Sequence, residues 1–521
     1  MIKREYDVVV VGGGMSGLCA ALAAARHGAR TALVQNRPVL GGNASSEIRM
    51  HVSGALFMRR RPDARETGIV EEILEENKAR NLHHSWSIFD LVLWEKAHFQ
   101  PGLDLYLNTH FTDLTKAGSS IASIRATQLT TEKTFELSGR IYVDATGDGT
   151  LGFLAGAEYM SGREGKRVFG EDLAPDESDP YTMGSTLLFQ AVDVGQPVTF
   201  VKPAWADTYT EEDLKLRDHQ EVTSGYWWVE LGGKDLDTIG DDGQIHTQLM
   251  AAVYGVWDHI KNGGDHGAAN LDLAWVGALP GKRESRRLLG DYVLTERDAL
   301  SGRVFDDAVA YGGWSLDLHV VGGLRTTGEE AATVVDERYI PRDLFSIPYR
   351  CLTSKNITNL MLAGRAFSVS HVAFGGVRQM ATLSVLGQAV GTAAAMAVEM
   401  GISPREIGGH IRALQQRLLK DDCYIPGCRN EDQHDLARSA TVTASSHLEG
   451  CGPANVINGV SRNVKADRNA WVSAPMHGPE WIALALPKRM SVRELIVTFD
   501  PDLSEEIKIT LSQRGLARQV P

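Results

Sequence analysis

Cysteine is scarce in this chain, with five residues in 521, and the count is odd. No Cys-x-x-Cys pair and no metal-type cysteine spacing occurs, which excludes a zinc finger, a dithiol relay and a dense disulfide framework. Cys423 and Cys428 stand close in a polar loop and could pair in an exported protein; otherwise all five read as unrelated thiols. Positive charge is also in deficit: 53 Lys and Arg against 66 Asp and Glu leave a net charge of −13. That balance argues against a nucleic-acid partner and against an anionic membrane surface. No apolar run is expected to reach the about 20 residues of a bilayer span. The start, Met1-Ile-Lys-Arg-Glu-Tyr-Asp, runs into a strand without a secretory leader pattern, so the expected location is cytoplasmic, or periplasmic if a leader has been removed. His83, His84, His98 and His110 lack zinc-ligand spacing, and no metal is expected. Internal repeats and low-complexity segments are absent as well.

What the chain does have is concentrated at its start. An apolar run from Tyr6 to Val11 leads into Gly12-x-Gly14-x-x-Gly17 and an alanine-rich stretch that ends at Gly28. Strand, tight turn and helix N-terminus follow in the order that a dinucleotide pyrophosphate requires. Gly12 permits the turn, Gly14 lets the diphosphate approach bare backbone, and Gly17 lets helix and strand pack closely. Met15 and Ser16 open the helix, whose unpaired N–H groups and partial positive charge face the phosphates. The second strand, Ala29 to Val34, ends in Gln35-Asn36-Arg37. Dinucleotide sites usually carry an acid here, about 20 residues beyond the glycines, to hold the ribose. Gln35 can accept from a ribose hydroxyl without the charge. No separate nicotinamide site is read from the sequence. Electrons must leave to oxygen, to a quinone or carrier protein, or return to the substrate.

Further glycine-rich turns follow: Gly41-Gly42-Asn43-Ala-Ser45-Ser46-Glu47-Ile-Arg49-Met-His51, then Val143-Asp144-Ala-Thr-Gly147-Asp148, then Ala363-Gly364-Arg365-Ala-Phe-Ser-Val-Ser-His371 with Gly375-Gly376 after it. With Gly12 to Gly17 and Arg283-Glu-Ser-Arg-Arg287, these segments resemble the bacterial FAD-dependent oxidoreductase family, over about residues 1–400. The resemblance implies FAD as cofactor in a glutathione-reductase-like fold. It implies FAD contacts at Gly41, Gly42, Asn43, Ser45, Ser46, Asp144, Gly147, Asp148, Gly364, Arg365, Gly375 and Gly376, besides the first turn. Arg365 stands where the late FAD strand usually ends in an acid. A long small-residue helix follows it, with its N-terminus expected to aim at the flavin ring.

The expected architecture is α/β. A Rossmann-type FAD-binding domain (1–155) would be interrupted by an inserted α+β substrate domain (156–330) and resumed with a helical linker (331–436). Residues 66–81 read as an exposed charged helix. The insertion carries Trp205, Trp227, Trp228, Trp257, Trp275 and Trp314. From residue 437 to 521 short alternating segments, among them Ser439 to Ser446, Glu480 to Leu486 and Leu495 to Asp500, suggest a β-sandwich. They resemble the first part of a galactose-binding-like, discoidin-type jelly roll, a module of about 8 strands, here incomplete.

FAD carries hydride chemistry, so the protein has to position a substrate and move a proton. Histidine suits that task near neutral pH. His371 follows the late FAD strand, His51 follows the Gly41-Gly42 segment, and His319 lies in Gly313-Trp-Ser-Leu-Asp-Leu-His319; each is a candidate base or a structural, hydrogen-bonded residue. Arg49 could orient the substrate or pair with Glu47. Arg283 and Arg287 could contact the substrate or form a solvated face. Trp227 and Trp228 could stack on a sugar, whose faces are apolar C–H surfaces, or pack in the core. The leading expectation is an oxidoreductase acting on a carbohydrate or glycoside hydroxyl. The alternatives are a redox-neutral glycosidase working through a transient 3-keto sugar and β-elimination, and a carbohydrate-binding protein with structural FAD.

Overall fold

The computed structural model describes residues 1–511, apart from 59, 60, 265, 335, 476 and 477. Strand β1 (Ile2–Val11) lies at the centre of the main sheet, and its Val8, Val9 and Val10 are fully buried. Both faces are covered, which is why the sequence here is a continuous apolar run without alternation. Helix α1 (Met15–Arg26) follows, then β2 (Thr31–Val34), which pairs in parallel with β1 from Val8 opposite Thr31 to Val11 opposite Val34. Helices α2 (Ile69–Arg80) and α3 (Trp86–His98) lead to β3 (Leu103–Tyr106), parallel to β2. Helix α2 is not a solvated rod. It buries Ile69, Val70, Ile73 and Leu74, while Glu72 on its outer side pairs with Arg26 and Lys96, each at 2.7 Å.

The chain then forms an antiparallel meander, β4 (Thr109–Ala117) and β5 (Ser120–Gln128), onto β6 (Lys133–Asp144). Strand β6 is long enough to serve two partners on one side. Its first half pairs with β5, and its last residues pair in parallel with the late strand β7 (Leu360–Leu362), Leu362 opposite Asp144. Its other side pairs with β1 along its length, Val11 opposite Asp144. The parallel order is therefore β3-β2-β1-β6-β7.

Between β6 and β7 a second hydrophobic cluster forms around Phe189, Trp228, Leu249, Val253 and Trp257. Helix α4 (Asp242–Asn262) supplies much of it, beside an antiparallel pair, Phe189–Asp193 with Leu271–Val276. The C-terminal segment departs from expectation. Among the described residues past 437 there is one two-stranded ladder, Thr441–Ala444 with Ile482–Ala485, and no sandwich. The stretch 495–500 joins no ladder, and Leu495 and Phe499 are 79% and 81% exposed. One pair of strands cannot bury a sheet face of its own. Residues 512–521 of the expected module lie outside the described residues. The segment is instead fastened by Arg462, which donates to the carbonyls of Asp63 and Arg65 at 3.0 Å and to Thr67 at 2.7 Å. All five cysteines are free.

Helix α5 (Met380–Met400) is long and apolar enough to cross a membrane by length and composition, contrary to expectation, but 94% of its most apolar window is buried. Its small residues explain the burial. A Cβ on Gly387 would fall 2.1 Å from the Ser16 carbonyl oxygen, and one on Gly391 2.0 Å from that of Ala20. Helices α1 and α5 therefore touch backbone to backbone. Gly391→Ala tests this packing because two effects oppose each other. Helix propensity favours alanine by about 1 kcal/mol, whereas overpacking costs about 1–3 kcal/mol or more. The clash is with backbone, which cannot rotate away, so the variant is expected to be net destabilised in urea titration. A more stable variant would contradict the packing.

Candidate functional site

A cavity of about 650 Å3 opens at the carboxyl ends of the parallel strands, where Gly12, Gln35, Ala145 and Gly364 follow β1, β2, β6 and β7. Open α/β sheets bind ligands at this edge. The three glycines of the first turn do three different jobs. Gly12 has φ 107°, and a Cβ there would meet the Ala145 oxygen at 2.1 Å. A Cβ on Gly17 would meet the Gly12 oxygen at 1.9 Å, whereas one on Gly14 would meet nothing within 4 Å. Gly14 thus leaves bare backbone open to the cavity, beside the N-terminus of α1. That cradle fits the diphosphate of FAD.

Met15, Ser16, Asn36, Arg37, Gly41, Gly42 and Asn43 line the same end. Ser16 Oγ accepts from the Gly364 N–H at 2.9 Å, and Gly41 donates to the Gly13 carbonyl at 2.9 Å. Gln35 spends its amide locally: its oxygen accepts from Gly13 N–H at 2.9 Å and its nitrogen donates to the Val39 carbonyl at 3.0 Å. It braces the glycine turn. Gly147, Asp148 and Arg365 also line the cavity. Burial pushes the Asp148 carboxyl up, but Arg365 and Lys282 outweigh it and hold the group below the usual carboxylate range. Lys282 Nζ lies 3.1 Å away.

Several expected cofactor residues are not on the wall. Asp144 is fully buried and accepts from Thr146 and from the Gly152 N–H at 2.8 Å, shaping the turn behind the cavity. Ser45 is buried, and Ser46 N–H donates to Asp90 at 3.1 Å. Gly375 and Gly376 back onto residues 314–317. A Cβ on Gly375 would stand 2.8 Å from the Asp317 nitrogen, so the glycines let that segment approach.

The other end of the cavity is built from His51, Ser53, Trp227, Arg283, Trp314, Asp317, His319, Arg378 and Gln379. His319 faces Glu230 through Nδ1 at 2.5 Å, while its Nε2 lies 2.8 Å from Arg378 Nη2 and 3.5 Å from Asp317 Oδ2. A guanidinium can only donate. Nε2 is therefore the acceptor, and Nδ1 carries the proton towards Glu230. The arrangement is an oriented base in the sense of a triad, with a carboxylate fixing the tautomer. Burial raises the Glu230 carboxyl, but Arg283 at 3.3 Å and His319 outweigh it and hold it at about 2. Asp317 is likewise lifted by burial, and its cationic surroundings, with Arg378 at 2.6 Å, outweigh that and hold it below the usual carboxylate range. His51 has no such partner, and burial pushes its imidazole down to about 3. Trp227 stays 36% exposed, its ring 5.1 Å from that of His319.

The structure removes the remaining candidates from the wall. His371 sits with Arg287 in a buried charge cluster. Its Nδ1 is 2.9 Å from Glu284, its backbone N–H donates to Glu164 at 2.8 Å, and Arg287 is bound by the same two carboxylates. The short helix that His371 opens points this ring into the protein rather than towards the cavity. Arg49 stacks on Trp275 at 4.2 Å and donates to Gln190 at 2.7 Å. Trp228 packs in the core, stacked on Tyr226 at 4.8 Å. Glu230, Asp317, Arg378 and Gln379 are the residues that sequence reasoning passed over. Asp317 and Arg378 lay within segments already singled out, next to His319 and Gly375-Gly376; Glu230 carried no signal.

A sequence model described as FAD dependent oxidoreductase matches residues 7–418. A soluble pyridine nucleotide transhydrogenase from Marinobacter nauticus is 47% identical over 45 residues, 9% of this chain and 10% of that protein. A 3-oxosteroid 1-dehydrogenase from Mycobacterium tuberculosis is 39% identical over 87 residues, 15% of this chain and 16% of that protein. The chain thus matches only a small part of the length of these relatives. Among solved structures, a geranylgeranyl bacteriochlorophyll reductase-like protein from Thermoplasma acidophilum aligns over 81% of this chain and 84% of its own, at 14% identity and a TM-score of 0.36.

The His51 environment gives a pH signature. The imidazole titrates near 6.5 when unfolded and at about 3 when folded, so between these values the unfolded chain binds more protons. Its contribution to stability is full above about 6.5 and is lost as pH falls towards 3. Urea titrations of the wild type and His51→Gln are expected to give a stability difference that is flat above neutrality and shifts against the wild type on acidification. A difference independent of pH across that window would refute the buried neutral imidazole.

Proposed function

The chain belongs to the FAD-dependent oxidoreductase family, and from that premise we propose that it oxidises a hydroxyl of a carbohydrate or glycoside with His319 as the base. The observation that carries this reading is the polarity of the wall around His319. Ser53, Asp317, Arg378 and Gln379 line the cavity near His319 and between them carry both hydrogen-bond donors and acceptors. A hydroxyl-rich substrate offers both donors and acceptors to meet them; an apolar polycycle does not. Trp227 adds an exposed aromatic face suited to the C–H surface of a sugar.

FAD, when bound, supplies the hydride acceptor. The chain's own residues handle the proton. The substrate O–H replaces Arg378 at His319 Nε2, and the guanidinium keeps its 2.6 Å contact with Asp317. His319 takes the hydroxyl proton, and the ionised Glu230 at Nδ1 stabilises the imidazolium that forms. Arg283 keeps Glu230 ionised for that task.

A second reading, redox-neutral cleavage of a glycoside, is favoured by His51. A second imidazole on the cavity wall can take a carbon-bound proton beside a newly formed carbonyl, the step that precedes β-elimination.

Anaerobic mixing with a panel of chromogenic glycosides separates the readings when the flavin band and aglycone release are followed together. Lasting bleaching without aglycone is the expected result for the oxidation. Repeated aglycone release with the flavin oxidised at the end supports the redox-neutral reading. Binding with neither event would leave a carbohydrate-binding protein with structural FAD. His319→Gln is expected to slow the sugar-dependent event by about 10²–10⁴-fold with FAD content unchanged. A variant with the wild-type rate would remove His319 from the chemistry.

A further inference from the structure

Away from the cavity, three histidines and one glutamate converge from separate parts of the insertion. Glu211 and His219 come from the long loop before residue 230, His259 from the last turn of α4, and His266 from the loop beyond it. One ligand atom of each lies within 4.8 Å of all the others. The Glu211 carboxylate is the hub: Oε2 is 3.4 Å from His219 Nε2, and Oε1 is 3.3 Å from His259 Nε2 and 3.2 Å from His266 Nε2. Zinc bonds of about 2.0–2.1 Å give a tetrahedron with edges of about 3.3–3.4 Å. The three carboxylate-to-ring separations match those edges, and the ligand atoms of all four residues lie within 4.8 Å of one another.

From these distances and from the way the rings are held, we infer that the insertion carries a structural zinc site formed by Glu211, His219, His259 and His266. The rings are set for ligation. His219 Nδ1 donates to the Arg217 carbonyl at 2.6 Å, which fixes its tautomer and turns the Nε2 lone pair towards the hub. His259 Nε2 is buried and makes no hydrogen bond. The His219 Nε2 lone pair faces the Glu211 carboxylate at 3.4 Å, and a dication placed between them serves both acceptors together with the other two rings. Three imidazoles and one carboxylate suit zinc and not the oxygen-seeking magnesium or calcium. Four protein ligands close the coordination sphere, which is the pattern of structural sites. The fold gives the ion a place to act: residues 194–229 contain no helix and no strand, and Glu211 and His219 lie within them. The ion would pin them to α4. The sequence expectation of no metal is thereby revised: His219 and His259 are too far apart in sequence to show a ligand spacing.

The test uses the full FAD-loaded chain, expressed with zinc in the medium and dialysed. Elemental analysis is expected to find about one zinc per chain, and X-ray absorption a shell of only nitrogen and oxygen at about 2.0–2.1 Å. Glu211→Ala removes the one exposed ligand, so it is expected to fold and keep its flavin spectrum while losing roughly tenfold or more of its zinc affinity in chelator competition. His219→Ala should abolish binding. Flavin-loaded wild type with only trace zinc would overturn the site. So would a sulfur ligand in the absorption spectrum, or zinc bound as tightly by Glu211→Ala as by the wild type.

Discussion

The structure depends on how closely α1 can lie against its neighbours. Gly17 brings the helix onto the turn after β1, and Gly387 and Gly391 bring α5 onto its other side, in each case at distances that no Cβ would permit. Because both contacts are backbone on backbone, the first turn of α1 has almost no freedom to tilt. That rigidity holds the open Gly14 backbone over the cavity, and the same packing sets Gln379 and Met380, at the start of α5, in the wall at the substrate end. One packing constraint therefore locates both halves of the site.

The substrate end is governed by charge balance rather than by any single residue. Glu230 and Asp317 are buried and ionised, Arg283 and Arg378 offset them, and His319 lies between. Removing one ion would leave another buried without its partner, which costs far more than a surface pair is worth. The cluster thus fixes the tautomer of His319 by the same interactions that make it stable.

The FAD-binding half was legible because its signals are local. Gly12, Gly14 and Gly17 report a turn, an approach and a packing contact within six residues, and Gly364 follows a short buried strand. Backbone geometry of this kind is written into neighbouring residues. The substrate end was less legible because its members arrive from distant segments: Glu230 from a two-residue ladder, Asp317 and His319 from a loop, Arg378 from the turn before α5. His371 misled because its position after the late FAD strand predicts proximity to the flavin, but side-chain direction depends on the helix it opens and on Glu164 and Glu284 across the interior. The expected sandwich failed for a related reason. Alternation in 441–444, 482–485 and 495–500 indicates extended chain, and only the first two found each other.

The split sheet also sets a timetable for synthesis. Strand β7 supplies the last parallel neighbour of β6, yet about two hundred residues separate Asp144 from Leu360. At about 5–20 residues per second, a ribosome takes about 10–40 s to bridge that gap. Throughout that interval the carboxyl half of β6 is emitted with one edge bare and the flavin cradle unfinished. The nascent chain must keep that edge from pairing with a neighbour on the same messenger, so the wait between two parts of one sheet is a hazard that expression temperature and codon choice can lengthen or shorten.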